Sequence, residues 1–396
     1  MKKIAIIGAG ASGFMCAIEC AKNSCSVDLY EQNDKVGKKI LVSGNGRCNI
    51  TNTSFSSSDY FSQNSSFVVD ALESFNYKEF EKFCNSIGLI LDAKEGGKVY
   101  PLSNEAKSVV AIFSNVAKNL GVNILTNSKI DDIKKLMQDY DAVVVATGSE
   151  AASHLGGCSD GMEFAKTYGH NIIPTYPSLV QLELQNSPHS KMSGAKVDGE
   201  VTLMINNQIA SSASGDILFT AYGVSGFCVL DVSREASEAM LNYSAVDIIL
   251  NLLPKYSHQK LSNHFNTMSK SLPNSSVLNT LHALLPIKIA KTILDVLNIA
   301  SDTSLQSLNM KDFKRIANQC LNWRFEVSDT HGFRHAEVAG GGVDTNEINP
   351  KTMESLKQKN LYFTGEVLDV VGRRGGFNFA WAWASGYMAA KDISKK

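Results

Sequence analysis

The chain has 396 residues, 44% of them hydrophobic and 19% charged, which is enough to bury a large core and to form two or three domains. Lys and Arg number 38 against 39 Asp and Glu, so the net charge of -1 argues against a whole-protein attraction to nucleic acid or membranes. Eight cysteines without a C-x-x-C pair favour a reducing cytoplasm and indicate no metal site, and no apolar window is long enough to span a bilayer.

The start of the chain carries a dinucleotide-binding pattern. A short apolar strand is followed at once by G-x-G-x-x-G at residues 8–13 and then by a helical run. Gly8 permits the tight turn, Gly10 lets the backbone approach a pyrophosphate, and Gly13 lets the helix pack close to the sheet. A second strand ends in Glu31, about where a carboxylate accepts the hydroxyls of an adenosine ribose.

Residues 37–52 are dense in glycine, small polar residues and cations, which predicts a loop that can wrap an extended ligand. Lys38, Lys39 and Arg47 could neutralise a pyrophosphate or an anionic substrate, and a solvated surface is the alternative for each. Cys48 has no second cysteine at short spacing, so a small packing residue is favoured over a redox thiol.

Further elements follow from periodicity and composition. Helical spacing predicts helices at 67–87 and 108–120, and apolar runs predict strands at 122–125, 128–133 and 142–145. The last run is closed by Ala146-Thr147-Gly148, whose small residues suit the cofactor edge of a parallel sheet.

From about residue 175 the pattern changes to short alternating segments, as in antiparallel strands, which predicts an inserted β-rich unit. Within it, residues 255–320 are mostly helical and contain eight Lys or Arg against three Asp. Such a basic insert could contact nucleic acid or an anionic substrate, and solvated helix faces are the simpler explanation.

The end of the chain supplies a second half of a nucleotide site. A strand at 360–364 is followed by Glu366 and Asp369, and carboxylates just beyond a strand can hold the ribitol hydroxyls of a flavin. Gly376 then opens a helix whose N-terminus can stabilise negative charge on a reduced isoalloxazine. A site built from both chain ends predicts FAD, because a simple NAD site needs only one nucleotide half.

These motifs together resemble the HI0933-like family of bacterial FAD-dependent oxidoreductases. The resemblance rests on the opening fingerprint, on S-G-N-G-R-C-N within residues 37–52, on Ala146-Thr147-Gly148, and on A-G-G-G-V and G-E-V-L-D near the end. Where the family pattern has another glycine this chain has Asn45, and Asn also tolerates a left-handed backbone.

The resemblance implies an α/β fold: a Rossmann-type FAD-binding domain with an inserted antiparallel, barrel-like domain and a small helical domain. On this chain the divisions fall at 1–174 and 340–396 for the FAD-binding domain, 175–254 and 321–339 for the β-rich domain, and 255–320 for the helical subdomain. The resemblance also implies NAD(P)/FAD-dependent oxidoreductase activity, like that of aminoacetone oxidases or enone reductases.

Candidate site residues follow from these motifs and from the resemblance. The cofactor-binding candidates are Gly8, Gly10, Ala11, Ser12, Gly13, Glu31, Gln32, Lys38, Lys39, Gly46, Arg47, Cys48, Asn49, Ile130, Ala146, Thr147, Gly148, Gly365, Glu366, Asp369, Gly376, Phe377 and Asn378. A flavin needs no dedicated acid or base, so no catalytic residue is assigned. Side chains that could lie near the ring or clamp a substrate are Arg47, Cys48, Tyr100, Arg373 and Arg374.

Two mechanisms stay open for a small-molecule substrate. NAD(P)H could reduce the flavin, which then reduces an unsaturated or carbonyl compound, or an amine could reduce the flavin and dioxygen reoxidise it. The sequence has no second G-x-G-x-x-G between a strand and a helix, so any NAD(P)H is expected to bind transiently. The alternative class is a flavin-binding protein, such as a tRNA-modifying flavoprotein, whose basic helical insert docks on nucleic acid.

Overall fold

A computed structural model describes residues 1–185 and 188–396, in which the apolar side chains form two separate cores. The first belongs to a unit made of Met1–Thr175 and Glu337–Lys396, and the second to a unit made of Tyr176–Ala336. We refer to these as the first and the second unit.

The chain from its start to residue 178 contains nine strands and seven α-helices. Its strands are β1 (Lys3–Ile7), β2 (Ser26–Tyr30), β3 (Thr51–Asn52), β4 (Tyr60–Phe61), β5 (Leu91–Ala93), β6 (Lys98–Pro101), β7 (Asn123–Leu125), β8 (Ala142–Val145) and β9 (Ile172–Ser178). Its helices are α1 (Ala11–Lys22), α2 (Lys38–Gly46), α3 (Val69–Ser74), α4 (Tyr77–Ser86), α5 (Ala106–Asn119), α6 (Ile133–Asp139) and α7 (Asp160–Thr167).

The second unit is an antiparallel barrel with helices. Its strands are β10 (Leu182–Leu184), β11 (Lys196–Ile205), β12 (Gln208–Phe219), β13 (Gly223–Ser225), β14 (Val246–Asn251) and β15 (Trp323–Thr330). Its helices are α8 (Phe227–Leu241), α9 (His258–Ser271), α10 (Val277–His282), α11 (Ile287–Leu297) and α12 (Met310–Leu321). The strands close in the order β10-β13-β12-β11-β14-β15, and the alternation of buried and more exposed residues along β14 fits one apolar face.

The chain then returns to the first unit with β16 (Val338–Val343), β17 (Leu361–Phe363), β18 (Val371–Gly372) and α13 (Phe377–Lys395). A five-stranded parallel sheet has the order β17-β8-β1-β2-β7. Both β1, from its second residue on, and β8 are buried, as expected for parallel strands that are covered on both faces. The α/β Rossmann-type fold with an inserted antiparallel barrel is therefore confirmed.

Two local predictions were wrong, and in each case a side chain caps a helix within the expected element. The expected strand at 128–133 is absent: α6 begins at Ile133, and the Asp132 side chain accepts a hydrogen bond from the backbone N–H of Lys134 at 2.9 Å. The expected helix at 67–87 is divided into α3 and α4, because Asn76 caps the second helix by accepting from two backbone N–H groups.

The glycine-rich segment 37–52 was expected to be a loop and instead contains α2. This helix starts after Gly37, which has a φ of +67°, and it is interrupted by non-helical backbone at Ser43, Gly44 and Asn45. Asn45 has a φ of +57°, so the asparagine does adopt the left-handed conformation expected of it.

No helix among the described residues is long and apolar enough to cross a membrane. Within the same residues, no group of three or more His, Cys, Asp or Glu side chains is arranged to hold a metal ion.

Candidate functional site

The glycine turn after β1 has the geometry that a dinucleotide site requires. A Cβ on Gly8, where φ is +108°, would lie 2.4 Å from the carbonyl oxygen of Ala146, and one on Gly13 would lie 1.9 Å from that of Gly8. A Cβ on Gly10 would meet nothing within 4 Å, and Gly10 precedes α1 with no side-chain cap. Two glycines are thus required by packing, and the third leaves an open helix N-terminus that fits a pyrophosphate.

Glu31 is held at this turn. Its side chain is in a residue only 8% exposed, and its carboxylate accepts from the backbone N–H of Ala9 at 3.1 Å and of Asn33 at 2.9 Å. The Asn33 side chain also donates to Glu31 at 2.7 Å and accepts from Lys38 Nζ at 3.0 Å. Asn33 was not predicted from the sequence. Its only indication there is its position two residues after Glu31.

Gln32 and Ile130 were predicted to lie near the same nucleotide half. Gln32 Nε2 donates to the carbonyl oxygen of Gly156 at 2.8 Å, which fastens the loop that follows β8. Ile130 lines an open cavity of about 480 Å³ together with Tyr30 and Tyr140.

The carboxyl ends of the parallel strands bring together three distant segments. Lys39 Nζ lies 3.2 Å from Glu366 Oε2, and Glu366 Oε1 accepts from the backbone N–H of Ala339 at 2.9 Å. A Cβ on Gly148 would lie 3.8 Å from both the Lys39 and the Glu366 side-chain ends. Lys39 and Glu366 therefore neutralise each other beside the end of β8.

The segment after β17 also contacts the first turn of α1. A Cβ on Gly365, where φ is +74°, would lie 2.7 Å from Ser12 Oγ. The backbone N–H of Gly365 donates to Ser385 Oγ at 2.9 Å, and Trp381 Nε1 donates to the carbonyl oxygen of Gly365 at 3.1 Å. Gly365 is fixed by α13 on one side and by α1 on the other, so neither chain end forms this edge alone.

The N-terminus of α13 lies against β3. A Cβ on Gly376, where φ is +96°, would come 2.2 Å from the carbonyl oxygen of Thr51, and Asn52 Nδ2 donates to the carbonyl oxygen of Gly375 at 3.0 Å. Tyr60 donates its hydroxyl to the carbonyl oxygen of Phe377 at 3.0 Å. The strand β3, which follows the S-G-N-G-R-C-N segment, and the second glycine-led helix are far apart in sequence and thus meet in the fold.

The turn before α13 is organised by Asn378 and an ion pair. Asn378 accepts from the backbone N–H of Gly372 at 2.8 Å and donates to its carbonyl oxygen at 2.9 Å. Arg373 is exposed, forms an ion pair with the carboxylate of Asp59, and has its guanidinium 5.1 Å from the centre of the Phe377 ring. Asp59 was not predicted from the sequence, and it neutralises the Arg373 charge that was expected to bind an anion. Arg374 is half-buried.

Arg47 and Tyr100 lie next to each other at the end of α2. The Arg47 guanidinium is 5.5 Å from the centre of the Tyr100 ring, and its Nε donates to the carbonyl oxygen of Gly44 at 3.2 Å. Asn49 accepts from the backbone N–H of Val99 at 3.2 Å, so it fixes this segment to β6.

Cys48 has no accessible surface, and burial raises the pKa of its thiol to about 12, although a hydrogen bond with Ser43 acts the other way. All eight cysteines are free thiols. A thiol with so high a pKa is not a nucleophile at neutral pH, which favours a packing role.

Asp369 is 5% exposed and accepts from the backbone N–H of Gln63 at 2.9 Å and from Ser62 Oγ at 3.4 Å. Its carboxylate therefore fastens the loop after β4 to the segment that follows β17.

A cluster of stacked rings in the second unit was not anticipated from the sequence. The Tyr222 and His331 rings are nearly parallel with centres 3.8 Å apart, and His335 lies 4.2 Å from His331. His331 Nδ1 is 2.8 Å from Glu183 Oε1. These residues come from separated segments that the barrel brings together, so no local spacing signals the cluster.

A Rossmann-type sheet with an open glycine turn, completed at its carboxyl edge by residues from the far end of the chain, is the arrangement of a flavin-dependent oxidoreductase. The HI0933-like protein Rossmann domain model matches residues 2–392, and the chain belongs to this family. The family and the flavoprotein class expected from the sequence are both confirmed.

Three similar proteins cover nearly the whole chain. A 3-dehydro-bile acid delta(4,6)-reductase of Clostridium scindens is 32% identical over 409 residues, with 100% of both chains covered. A ribosomal RNA dihydrouridine synthase of Escherichia coli is 33% identical over 399 residues, covering 98% of this chain and 97% of that one. A protein of the same name from Haemophilus influenzae is 32% identical over 410 residues, covering 99% and 98%.

Proposed function

We propose that the protein is an FAD-dependent reductase of carbon–carbon double bonds conjugated to a carbonyl group, with NAD(P)H as the reductant. A 3-dehydro bile acid with 4,6 unsaturation has its double bonds conjugated to the 3-ketone. Dihydrouridine differs from uridine by two hydrogens across the C5–C6 bond, which is conjugated to a ring carbonyl. The names of the similar proteins therefore describe two substrates but one kind of reacting bond.

The residues of the first unit fit FAD along its length. The open N-terminus of α1 suits the pyrophosphate, and Glu31 suits the adenosine ribose. FAD supplies the hydride chemistry when bound, and the N-terminus of α13 would stabilise negative charge on its ring. Glu366 and Asp369 remain candidates for the ribitol hydroxyls, although both carboxylates already accept hydrogen bonds from the protein.

The single observation that carries the proposal is the meeting of β3 with the N-terminus of α13, through Asn52 and the close approach of Gly376 to Thr51. A nicotinamide site that consists of one nucleotide-binding half does not require a second helix N-terminus from the far end of the chain. Because Cys48 is buried with a raised pKa, electron transfer through this thiol is disfavoured.

The test follows the flavin spectrum of the purified protein under anaerobic conditions. We expect a yellow protein that NADH or NADPH bleaches slowly, because no dedicated nicotinamide domain is present in the sequence. A 4,6-dien-3-one steroid should then restore the oxidised spectrum without oxygen, while the saturated 3-ketone, as the matched control, should not.

Two results would contradict the proposal. A colourless protein that cannot be reconstituted with FAD would show that FAD is not the cofactor. Bleaching by amines, followed by recovery only with dioxygen and no response to conjugated ketones, assigns the chain to the oxidases instead.

A further inference from the structure

Four side chains of the second unit form a cluster that has no role in cofactor binding. Tyr222, His331 and His335 are the stacked rings, and Glu183 contacts the middle ring of the three. They come from β10, from the turn between β12 and β13, and from the turn after β15. Histidine is the side chain that exchanges protons most readily near neutral pH, so an imidazole bound to a carboxylate is a candidate acid.

The His331 ring is held in one orientation. The Tyr222 ring lies at 7° to it and the His335 ring at 33°, so the two neighbours set the plane of the imidazole. The contact of 2.8 Å between Nδ1 and Glu183 Oε1 sets the rotation of the ring within that plane. Because an ionised carboxylate only accepts hydrogen bonds, Nδ1 carries its hydrogen, and Nε2 is the nitrogen left to exchange a proton.

Main-chain hydrogen bonds fix the segments that carry these side chains. The backbone N–H of Leu184 donates to the carbonyl oxygen of Tyr222 at 3.0 Å, and that of His331 donates to the carbonyl oxygen of Gln181 at 2.9 Å. The Gln181 Oε1 atom is buried and has no hydrogen-bond partner within the part of the chain that the structure describes. A buried oxygen without a partner is costly, and a hydroxyl group of a ligand would remove that cost.

The free nitrogen of His331 is also accessible. The His331 side chain is 24% exposed, and its Nε2 has no hydrogen-bond partner among the described residues. By contrast, His170 uses both nitrogens, at 3.2 Å from Glu347 and 2.7 Å from Ser355, and its side chain has no accessible surface. His331 therefore has what an acid requires: a carboxylate that stabilises the imidazolium, a free nitrogen, and access for a ligand.

We propose that His331 is the acid of the double-bond reduction and that its Nε2 contacts the carbonyl oxygen of the substrate. The inference rests on the proposed reductase function, because that reaction places negative charge on a carbonyl oxygen. When a hydride adds to the conjugated double bond, the electron pair of that bond moves to the oxygen, which takes the Nε2 proton and becomes an enol hydroxyl.

The enol then returns this proton to Nε2 and gains a proton from water at the carbon beside the carbonyl group. The hydride and its electron pair come from NAD(P)H through the flavin. One hydride and one proton are therefore added in all, and His331 ends the reaction in the protonation state in which it began.

The experiment uses the FAD-loaded protein after anaerobic reduction by NADPH. We compare the wild type with His331→Phe, which keeps an aromatic ring in the stack but has no proton to give. The matched control is His264→Phe, at a half-buried position of α9. His331→Phe should slow reoxidation by the 4,6-dien-3-one steroid roughly a hundredfold, as the loss of one donor to a developing oxyanion does. Bleaching by NADPH should be unchanged in both variants, and His264→Phe should be reoxidised like the wild type.

The ultraviolet absorption of the bound steroid reports the same contact without turnover. A hydrogen bond to its carbonyl oxygen moves the absorption of a conjugated ketone to longer wavelength. A difference spectrum with the oxidised protein should show this shift for the wild type and His264→Phe but not for His331→Phe. Glu183→Gln, which keeps the shape of the side chain and removes its charge, should lower the reoxidation rate and weaken the shift.

Equal reoxidation rates in His331→Phe and the wild type would overturn the inference, and so would equal losses in His331→Phe and His264→Phe. If His331→Phe does not fold, an unchanged rate and shift in Glu183→Gln would overturn it instead. Absence of the absorption shift from the wild type also rejects it. If the wild type shows the shift, His331→Phe loses it, and neither is reoxidised by the steroid, the proposed reductase function fails while His331 still binds the carbonyl group.

Discussion

At the scale of single residues, the three glycines of the opening fingerprint differ in what surrounds them. Gly8 and Gly13 are required by the protein itself, since a Cβ on either would lie 2.4 Å or less from a backbone oxygen. Packing does not require a glycine at position 10, since a Cβ there meets open space. Mutation can therefore distinguish a ligand requirement from a folding requirement.

We predict that Gly10→Val leaves the free energy of unfolding of the apoprotein within about 0.5 kcal/mol of the wild type, because the side chain enters open space. It should lower the affinity for FAD by roughly a hundredfold or more, about 2.7 kcal/mol, and give a colourless protein. Chemical denaturation and flavin titration provide the two measurements.

Gly13→Ala is the contrasting variant. Its Cβ would lie 1.9 Å from the carbonyl oxygen of Gly8, so the apoprotein should lose about 1–3 kcal/mol of stability. A Gly10→Val protein that keeps its yellow colour would show that the pyrophosphate does not lie at this turn.

At the scale of elements, the placement of α13 depends on its first turn. Asn378 holds Gly372 through two hydrogen bonds, and Gly376 approaches β3 so closely that no side chain fits between them. The sequence indicates a glycine-led helix at this place but not its contact with β3. That contact is made by residues more than three hundred positions apart, a separation that no local pattern encodes.

We predict that Asn378→Ala lowers the free energy of unfolding by about 1–3 kcal/mol, because the polar backbone groups of Gly372 lose their partners. The flavin reduction potential should fall as well, because the helix N-terminus that stabilises the reduced ring is no longer fixed. Spectroelectrochemical titration measures this potential, and Asn279→Ala, at an exposed position of α10, is the control. A destabilised protein with an unchanged flavin reduction potential would show that the N-terminus of α13 does not act on the flavin ring.

At the scale of the whole molecule, two cores are built from one chain that leaves the first unit at residue 175 and returns at residue 337. The residues proposed to hold FAD all belong to the first unit, while the ring cluster of Tyr222, His331 and His335 belongs to the second. Cofactor binding is thus proposed for one of the two cores.

We predict that calorimetry of the full chain shows two unfolding transitions, because each unit has its own core. Free FAD at 100 times its dissociation constant should stabilise the first unit by about 2.7 kcal/mol. Hydrogen exchange should then slow in the five-stranded sheet of the first unit and not in the barrel strands. Equal protection of both units on FAD binding would contradict this assignment.

The sequence by itself determined the class of fold and indicated the segment proposed to bind the adenosine and pyrophosphate part of the cofactor. These features are the buried strands, the glycine spacing and Glu31. They can be predicted because each depends on residues that are close together in the sequence. Its errors were also local: the caps at Asp132 and Asn76 changed an expected strand and an expected helix.

Only the tertiary structure decided which charges remain available. Lys39 is paired with Glu366 and Arg373 with Asp59, although the sequence had made Lys39, Glu366 and Arg373 candidates for binding a cofactor or a substrate. The opposite holds on α12, where lysines that resemble an ordinary solvated face have no acidic partner among the residues that the structure describes. Pairing depends on distances between segments remote in sequence, and those distances are set by the packing of the two cores.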